Sequence, residues 1–175
     1  MTIFRRVAAA TATMTAALTA AGSALALSCA PPSIEGSYKG WADAPERYYV
    51  VSGTLTPVSP LPDVPSPGDL SIGGGEAPDL RAVYRVQGEV VYAQQTVPID
   101  HYIWVRATCF GPWCAGFPGA GSSGVMGLKQ LPDYTLELGM SPCGGSVFQD
   151  GGGTVKARVQ QCMGAGGCTP PGPGR

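Results

Sequence analysis

RYYVVSGTLTPV, Arg47 to Val58, is the stretch whose reading decides the fold. It is dense in β-branched and aromatic side chains, which suit a pleated, half-buried surface, and it stops at Pro57, which has no N–H to give a ladder. It predicts a core strand from Tyr48 to Thr56.

Upstream, Ser33 to Ala44 (SIEGSYKGWADA) can form a helix with Ser33 as its N-cap, although Gly36 and Gly40 weaken it. Downstream, 57–78 holds six prolines, the run Gly73-Gly74-Gly75 and few large apolar residues. That composition predicts an exposed, disordered insertion ahead of a binding loop. Asp79 to Pro98 reads as one long strand bent near Gly88, because a glycine inside a strand often marks a bulge or a barrel corner. Asp100 to Cys109 alternates, which predicts a strand with Ile103 and Val105 inward. The tight link through Pro98 makes the two antiparallel neighbours.

Phe110 to Gly124 has the composition of a loop, and Val125 to Lys129 that of a short strand. Leu131-Pro132-Asp133 supplies a turn, and Tyr134 to Leu138 alternates as a half-buried strand. Five strands broken by Gly and Pro predict a mainly β fold, a small antiparallel barrel or sandwich with one or two short helices. From Thr154 to Met163 helical and alternating patterns both fit; Thr154, an apt N-cap behind three glycines, favours a short helix. The tail 169–175 is expected to be disordered.

The start of the chain has a different character. Arg5 and Arg6 precede an apolar, Ala-rich run from Val7 to Ala26 that closes on small residues, the order of a secretory signal peptide. The run is too weakly hydrophobic for a stable membrane span. Ala24-Leu25-Ala26 and Ala26-Leu27-Ser28 both offer small residues to the peptidase, so the cut falls after residue 26 or after residue 28. A lipid anchor on Cys29 is disfavoured, since lipoprotein signals usually place Leu where this chain has Ala26. The remainder, 27–168 plus the tail, has the size of one domain. Removing Arg5 and Arg6 from eleven basic residues leaves nine against twelve acidic ones, with no basic cluster, which argues against a nucleic-acid partner.

All six cysteines (Cys29, Cys109, Cys114, Cys143, Cys162 and Cys168) lie beyond the signal. An even number in an exported chain reads as three disulfides, with 15 pairings open. A metal site finds no support: no C-x2-C occurs, and His101 is the only histidine, far in sequence from any cysteine pair. Cys162 beside Met163 offers soft ligands for Cu(I), but a local disulfide explains the spacing more simply.

Four segments, SCAPPS (28–33), YYVVSGTL (48–55), TCFGPWCAGF (108–117) and GLKQLPDYTLELGMSPC (127–143), together resemble the netrin-like module. This is the OB-fold domain of the tissue inhibitors of metalloproteinases, shared by bacterial exported proteins. Tyr49 to Gly53 matches its first-strand pattern Y-V-V-x-G, and Met126 to Cys143 loosely matches a later strand and cysteine. The order signal, LSC, YVV-x-G, TC-x-GPWC, PC and C-M-x4-C is also similar to small exported proteins of alpha-proteobacteria, a kinship that carries no activity with it.

The resemblance implies an OB-like barrel to which Cys29 staples the N-terminal arm through Cys143, with Cys109–Cys114 closing a small loop and Cys162–Cys168 pinning the tail. It also brings a protease-inhibitor reading. The metalloproteinase inhibitors begin Cys-x-Cys and chelate zinc through the first residue's amine and carbonyl. Here Pro31 stands where the second cysteine would be, and only a cut after Ser28 exposes Cys29, which ranks inhibition through the N-terminal arm second.

A hydrolase ranks third. His101 follows Asp100 at the start of a strand and reads as a hydrogen-bonded turn histidine, no G-x-S-x-G occurs, and Asp79, Glu89, Asp100 and Glu137 look scattered over strand ends and solvent faces. No cofactor is implied. Phe110, Trp113 and Phe117 share one Gly/Pro-rich loop, where large rings either cover a barrel end or meet a partner. Tyr102 and Trp104 can line an OB-type face. The sequence therefore predicts a periplasmic or secreted binding or envelope-associated module, non-catalytic, with an extracytoplasmic protein partner.

Overall fold

The computed structural model describes residues 29–65 and 80–169. The expected signal peptide and its cleavage site, most of the proline-rich stretch and the tail beyond residue 169 lie outside the described residues. The elements are α1 (Ile34–Asp43), β1 (Tyr48–Pro57), β2 (Leu80–Val91), β3 (Thr96–Ala107), β4 (Cys109–Phe110), β5 (Trp113–Cys114), β6 (Ser122–Gln130), β7 (Leu136–Met140), β8 (Val147–Phe148) and α2 (Thr154–Gly164).

β1 is hydrogen-bonded on both edges, to β2 with Val51 opposite Val90 and to β6 with Val51 opposite Met126. The strand order β1-β2-β3-β7-β6 thus returns to β1 and closes a five-stranded OB-like barrel. The expected antiparallel pairing holds for every neighbouring pair of the ring except β3 with β7, which run parallel with Trp104 opposite Glu137. The exception is forced by parity: strand directions cannot alternate all the way around a closed ring of five.

Side-chain alternation fills the barrel. Val51, Leu55, Tyr84, Val86, Met126 and Leu128 point inward and are fully buried, and Ile103 and Val105 join them from β3. The Tyr84 hydroxyl donates to the Pro118 carbonyl at 2.7 Å, fixing the segment that crosses the barrel end where β1 finishes. Burial raises the Tyr84 pKa.

Two close approaches need glycine. Gly53 of β1 faces Gly88 of β2, and a Cβ on Gly88 would lie 2.1 Å from the Ser52 carbonyl oxygen. The contact lets the two strands press together where they coil around the barrel. On the outer side, a Cβ on Gly127 would lie 2.4 Å from the Trp41 ring, so the missing side chain is the seat of α1 against β6.

The helices pack outside the ring. Ile34, Tyr38 and Trp41 from α1 and Val155, Val159 and Met163 from α2 meet the outward side chains Val50, Val91 and Val125. The Ser33 hydroxyl caps α1 by accepting from the Gly36 N–H at 3.1 Å, as its sequence predicts. For α2 the expected cap is corrected: Thr154 is the first helical residue, behind a left-handed Gly153. The Asp150 carboxylate does the capping, accepting from Val155 N at 2.8 Å and Lys156 N at 3.3 Å. Arg158 Nε to Glu35 Oε1 at 2.8 Å joins the helices, and this lowers the Glu35 pKa. Neither helix is long and apolar enough to cross a membrane.

The Asp79 to Pro98 stretch differs from its expected single bent strand. The chain turns at residues 92–95, where Tyr92 N–H donates to the Gln95 carbonyl at 2.9 Å, and Pro98 lies inside β3 opposite Glu89. Gly88 marks close strand contact, with regular pairing through it on both sides instead of a bulge. β6 begins at Ser122, ahead of the expected Val125, and β7 begins at Leu136, because Tyr134 belongs to the turn before it.

Disulfides join Cys29 to Cys143, Cys109 to Cys114 and Cys162 to Cys168. The first spans 114 residues and in the chain-entropy model contributes about 4–5 kcal/mol, against about 2 for each short loop. It lays the N-terminal arm on the turn after β7, with Pro32 against Gly145.

Two predictions follow from these contacts. Gly88→Ala destabilises by several kcal/mol in urea unfolding, whereas Gly139→Ala, with nothing within 4 Å of its added carbon, changes stability by less than about 0.5 kcal/mol. The second concerns Lys156 Nζ and Glu89 Oε1, 2.6 Å apart, which tie α2 to β2. This hydrogen bond, donated by Lys156, lowers the Glu89 pKa and raises the Lys156 pKa. A lowered carboxylate pKa stabilises the fold above the ordinary carboxylate range and is lost as pH falls through its folded value. Glu89→Gln should therefore cost about 0.5–1 kcal/mol at pH 7 and nothing near pH 2, measured by denaturant titration at both.

Candidate functional site

β3 carries the exposed aromatic surface. Alternation turns Tyr102 and Trp104 outward, opposite Arg85 and Val83 of β2. Tyr102 is 61% exposed and Trp104 half-buried. The rings stand beside a bidentate pair, Arg85 Nε and a terminal guanidinium nitrogen on the Asp100 oxygens at 2.6 and 2.5 Å, with Gln87 Nε2 on the same carboxylate at 3.2 Å. The hydrogen bond from Arg85 holds the Asp100 pKa below the usual carboxylate range and raises that of Arg85. Among the described residues both helices pack on the other flank of the barrel, so this face meets neither.

Glu137 lies beside Trp104 on the outer face and is 3% exposed, a correction to its expected solvent position. Its Oε1 is 3.6 Å from Lys129 Nζ and its Oε2 3.8 Å from an Arg81 guanidinium nitrogen. Among the described residues Oε2 accepts no hydrogen bond. Ion pairs at this length compensate a buried charge poorly, so the arrangement is costly for stability alone. Its effect is to draw the Arg81 and Lys129 stems over the sheet. Burial first, then the charges of Glu46 and Glu137, raise the Tyr48 pKa on the same face.

β3 runs on into a small hairpin in which Cys109 faces Cys114 and Phe110 faces Trp113. Gly111 takes the left-handed conformation that the turn needs, with φ +56°. The hairpin is held to the barrel by Ala115 N–H on the Thr108 carbonyl at 2.9 Å and by Thr108 N–H and Oγ1 on the Met140 carbonyl at 3.0 and 2.7 Å. Phe110 is 66% exposed and Trp113 half-buried.

The five rings expected at a binding surface thus divide. Tyr102 and Trp104 share the β3 face, and Phe110 and Trp113 share the hairpin tip. Phe117 joins neither: it packs on the barrel core and on Leu80, Ala107 and Ala115, closing the barrel end. His101 lies well inside β3, opposite Val86, and faces the barrel's other end instead of a turn.

The fold and surface define a disulfide-stapled OB-like barrel with a rigid aromatic hairpin. A scan against protein-family models and searches of curated proteins and of solved structures found no match.

Sequence reasoning missed Glu137, whose alternating position is correctly outward and whose burial comes from neighbouring strands. It also missed Tyr49, Tyr92 and Tyr134, which converge only when the barrel closes. The division of the rings is testable by urea unfolding: Phe117→Ala costs about 2–4 kcal/mol, whereas Phe110→Ala stays within about 0.5 kcal/mol of wild type.

Proposed function

We propose that the chain is an exported, disulfide-stapled binding module of the periplasm or extracellular space, without catalytic activity. It meets an extracytoplasmic protein partner through the β4–β5 hairpin and the adjoining β3 face. The observation that carries this reading is the hairpin tip, where a largely exposed Phe110 is held across from Trp113 by the Cys109–Cys114 bridge. A ring carried on a backbone that is fixed before contact needs no loop ordering on binding, which is a property of an interface anchor. The netrin-like resemblance and the signal pattern support the same reading, and three disulfides suit an oxidising compartment. Cys29, bonded to Cys143 through the sulfur that a lipid anchor would need, acts as a structural staple.

Immobilised mature protein and its Phe110→Ala and Trp113→Ala variants, incubated with envelope extract, test the proposal. Wild type should retain a discrete protein that both variants lose by about tenfold while keeping wild-type thermal unfolding. Equal capture by all three would reduce the hairpin to packing.

A further inference from the structure

The barrel end away from Phe117 is open and lined with tyrosine. β1 begins there, β2 turns into β3 there, and β6 turns into β7 there. One hollow of about 260 Å³ lies between α1 and the barrel, with Tyr38, Trp41, Tyr48 and Met163 on its walls. A second, of about 220 Å³, lies at the barrel mouth and is walled by Ile99, His101, Gln130, Tyr134 and Leu136. The two share Tyr49, Val90 and Tyr92, so they form one surface divided by a ridge. Five of the chain's seven tyrosines stand here.

Both exposed tyrosines at the mouth have anchored backbones. Tyr92 donates its N–H to Gln95 and accepts from Gln160 Nε2 at 3.2 Å. Tyr134 donates to the Leu131 carbonyl at 2.9 Å and is the one described non-glycine residue with positive φ, at +66°. Its ring is 79% exposed. That turn would accept Asn or Gly at less cost, and a packing role does not explain a large ring left in solvent.

The chemistry of the walls selects the ligand. Neither hollow has a carboxylate, ammonium or guanidinium among its walls. Arg47 at the rim is hydrogen-bonded to Tyr49, and Asp133 is engaged by Thr135 N and Oγ1 at 3.1 and 2.6 Å. A charged ligand would therefore find its counter-charge at the rim, in Arg47 or Asp133, and none on the walls of the hollows. A purely apolar ligand would leave the phenols, Gln130 and His101 without partners. A polyproline segment offers only acceptors, so the acceptor atoms of those same groups would go unpaired. A sugar ring has apolar C–H faces for the aromatic rings and hydroxyls that both donate and accept. Each hollow suits one ring.

We propose that this tyrosine-lined barrel end is a binding site for an uncharged oligosaccharide, with adjacent sugar units seated on either side of the Tyr49 and Tyr92 ridge. It is separate from the hairpin contact and can fail or succeed independently of it.

The test uses the intact, oxidised protein with maltotriose, cellotriose and tri-N-acetylchitotriose, and with trigalacturonate and a proline decamer as competing chemistries. Binding is followed by calorimetry and by the fluorescence of the tryptophans, one of which, Trp41, lines the first hollow. At least one uncharged trisaccharide should saturate below about 10 mM. Tyr92→Ala and Tyr134→Asn, the latter keeping a residue that tolerates positive φ, should each weaken it about tenfold without lowering the thermal unfolding temperature. Tyr102→Ala on the sheet face should change it less than twofold. Three results would overturn the proposal: no saturation by any uncharged trisaccharide, unchanged affinity in both tyrosine variants, or tighter binding of the trigalacturonate or the proline decamer.

Discussion

The structure depends on β1 being bonded along both of its edges. Tyr48 to Leu55 pairs with Lys129 to Ser122 of β6, and Val51 to Pro57 pairs with Val90 to Tyr84 of β2. A sheet closed in this way has no terminal edge strand, although β3 from Thr96 to Ile103 is paired on its β2 side only. Closure also fixes which side chains face inward, and hence the single core around Val51, Leu55, Tyr84 and Val105. The Gly53 and Gly88 contact permits the coiling that closure needs, and the Cys29–Cys143 bridge holds the N-terminal arm against the far side. With few charges in the chain and a core of one barrel's size, these local devices carry more of the stability than they would in a larger domain.

Closure sorts the surface as well. One flank is covered by α1 and α2, one end by Phe117 and the Pro118 segment, and the turn after β7 by the N-terminal arm. Among the described residues the β3 face with its hairpin extension and the tyrosine-lined end stay uncovered. The two differ chemically. The first presents rings beside charged groups, Arg85 with Asp100 and Glu137 with Lys129, and suits a polar, protein-sized surface. The second is free of charged walls and concave, and suits small uncharged rings. Both proposed contacts are built on strands and braced turns instead of long loops.

Much of this was legible locally. The Tyr48 strand, the Ser33 cap, the inward Ile103 and Val105, and the mainly β class all follow from alternation, capping chemistry and residue shape. The disulfide partners expected from the family resemblance are the bonded ones. The β2–β3 turn was not legible, because Tyr92-Ala93-Gln94-Gln95 contains none of the residues that turns favour, while Gly88 and Pro98 on either side send a false signal. The Asp150 cap was hidden by an apt threonine four residues later. Glu137 and the tyrosine hollow belong to a different order of information. Their neighbours come from separate strands, and no local pattern records that Trp104, Lys129 and Arg81 surround one carboxylate or that Tyr49, Tyr92 and Tyr134 share one rim.

Amide hydrogen exchange along β1, read residue by residue in the oxidised protein, tests the closed barrel most directly. The amides of Val51 to Leu55 should all exchange among the slowest in the chain, by global unfolding, because each edge of the strand is bonded to a neighbour there. Slow exchange at alternate residues only, with those facing β6 exchanging as freely as an open edge, would show a sheet that does not close and would contradict the account.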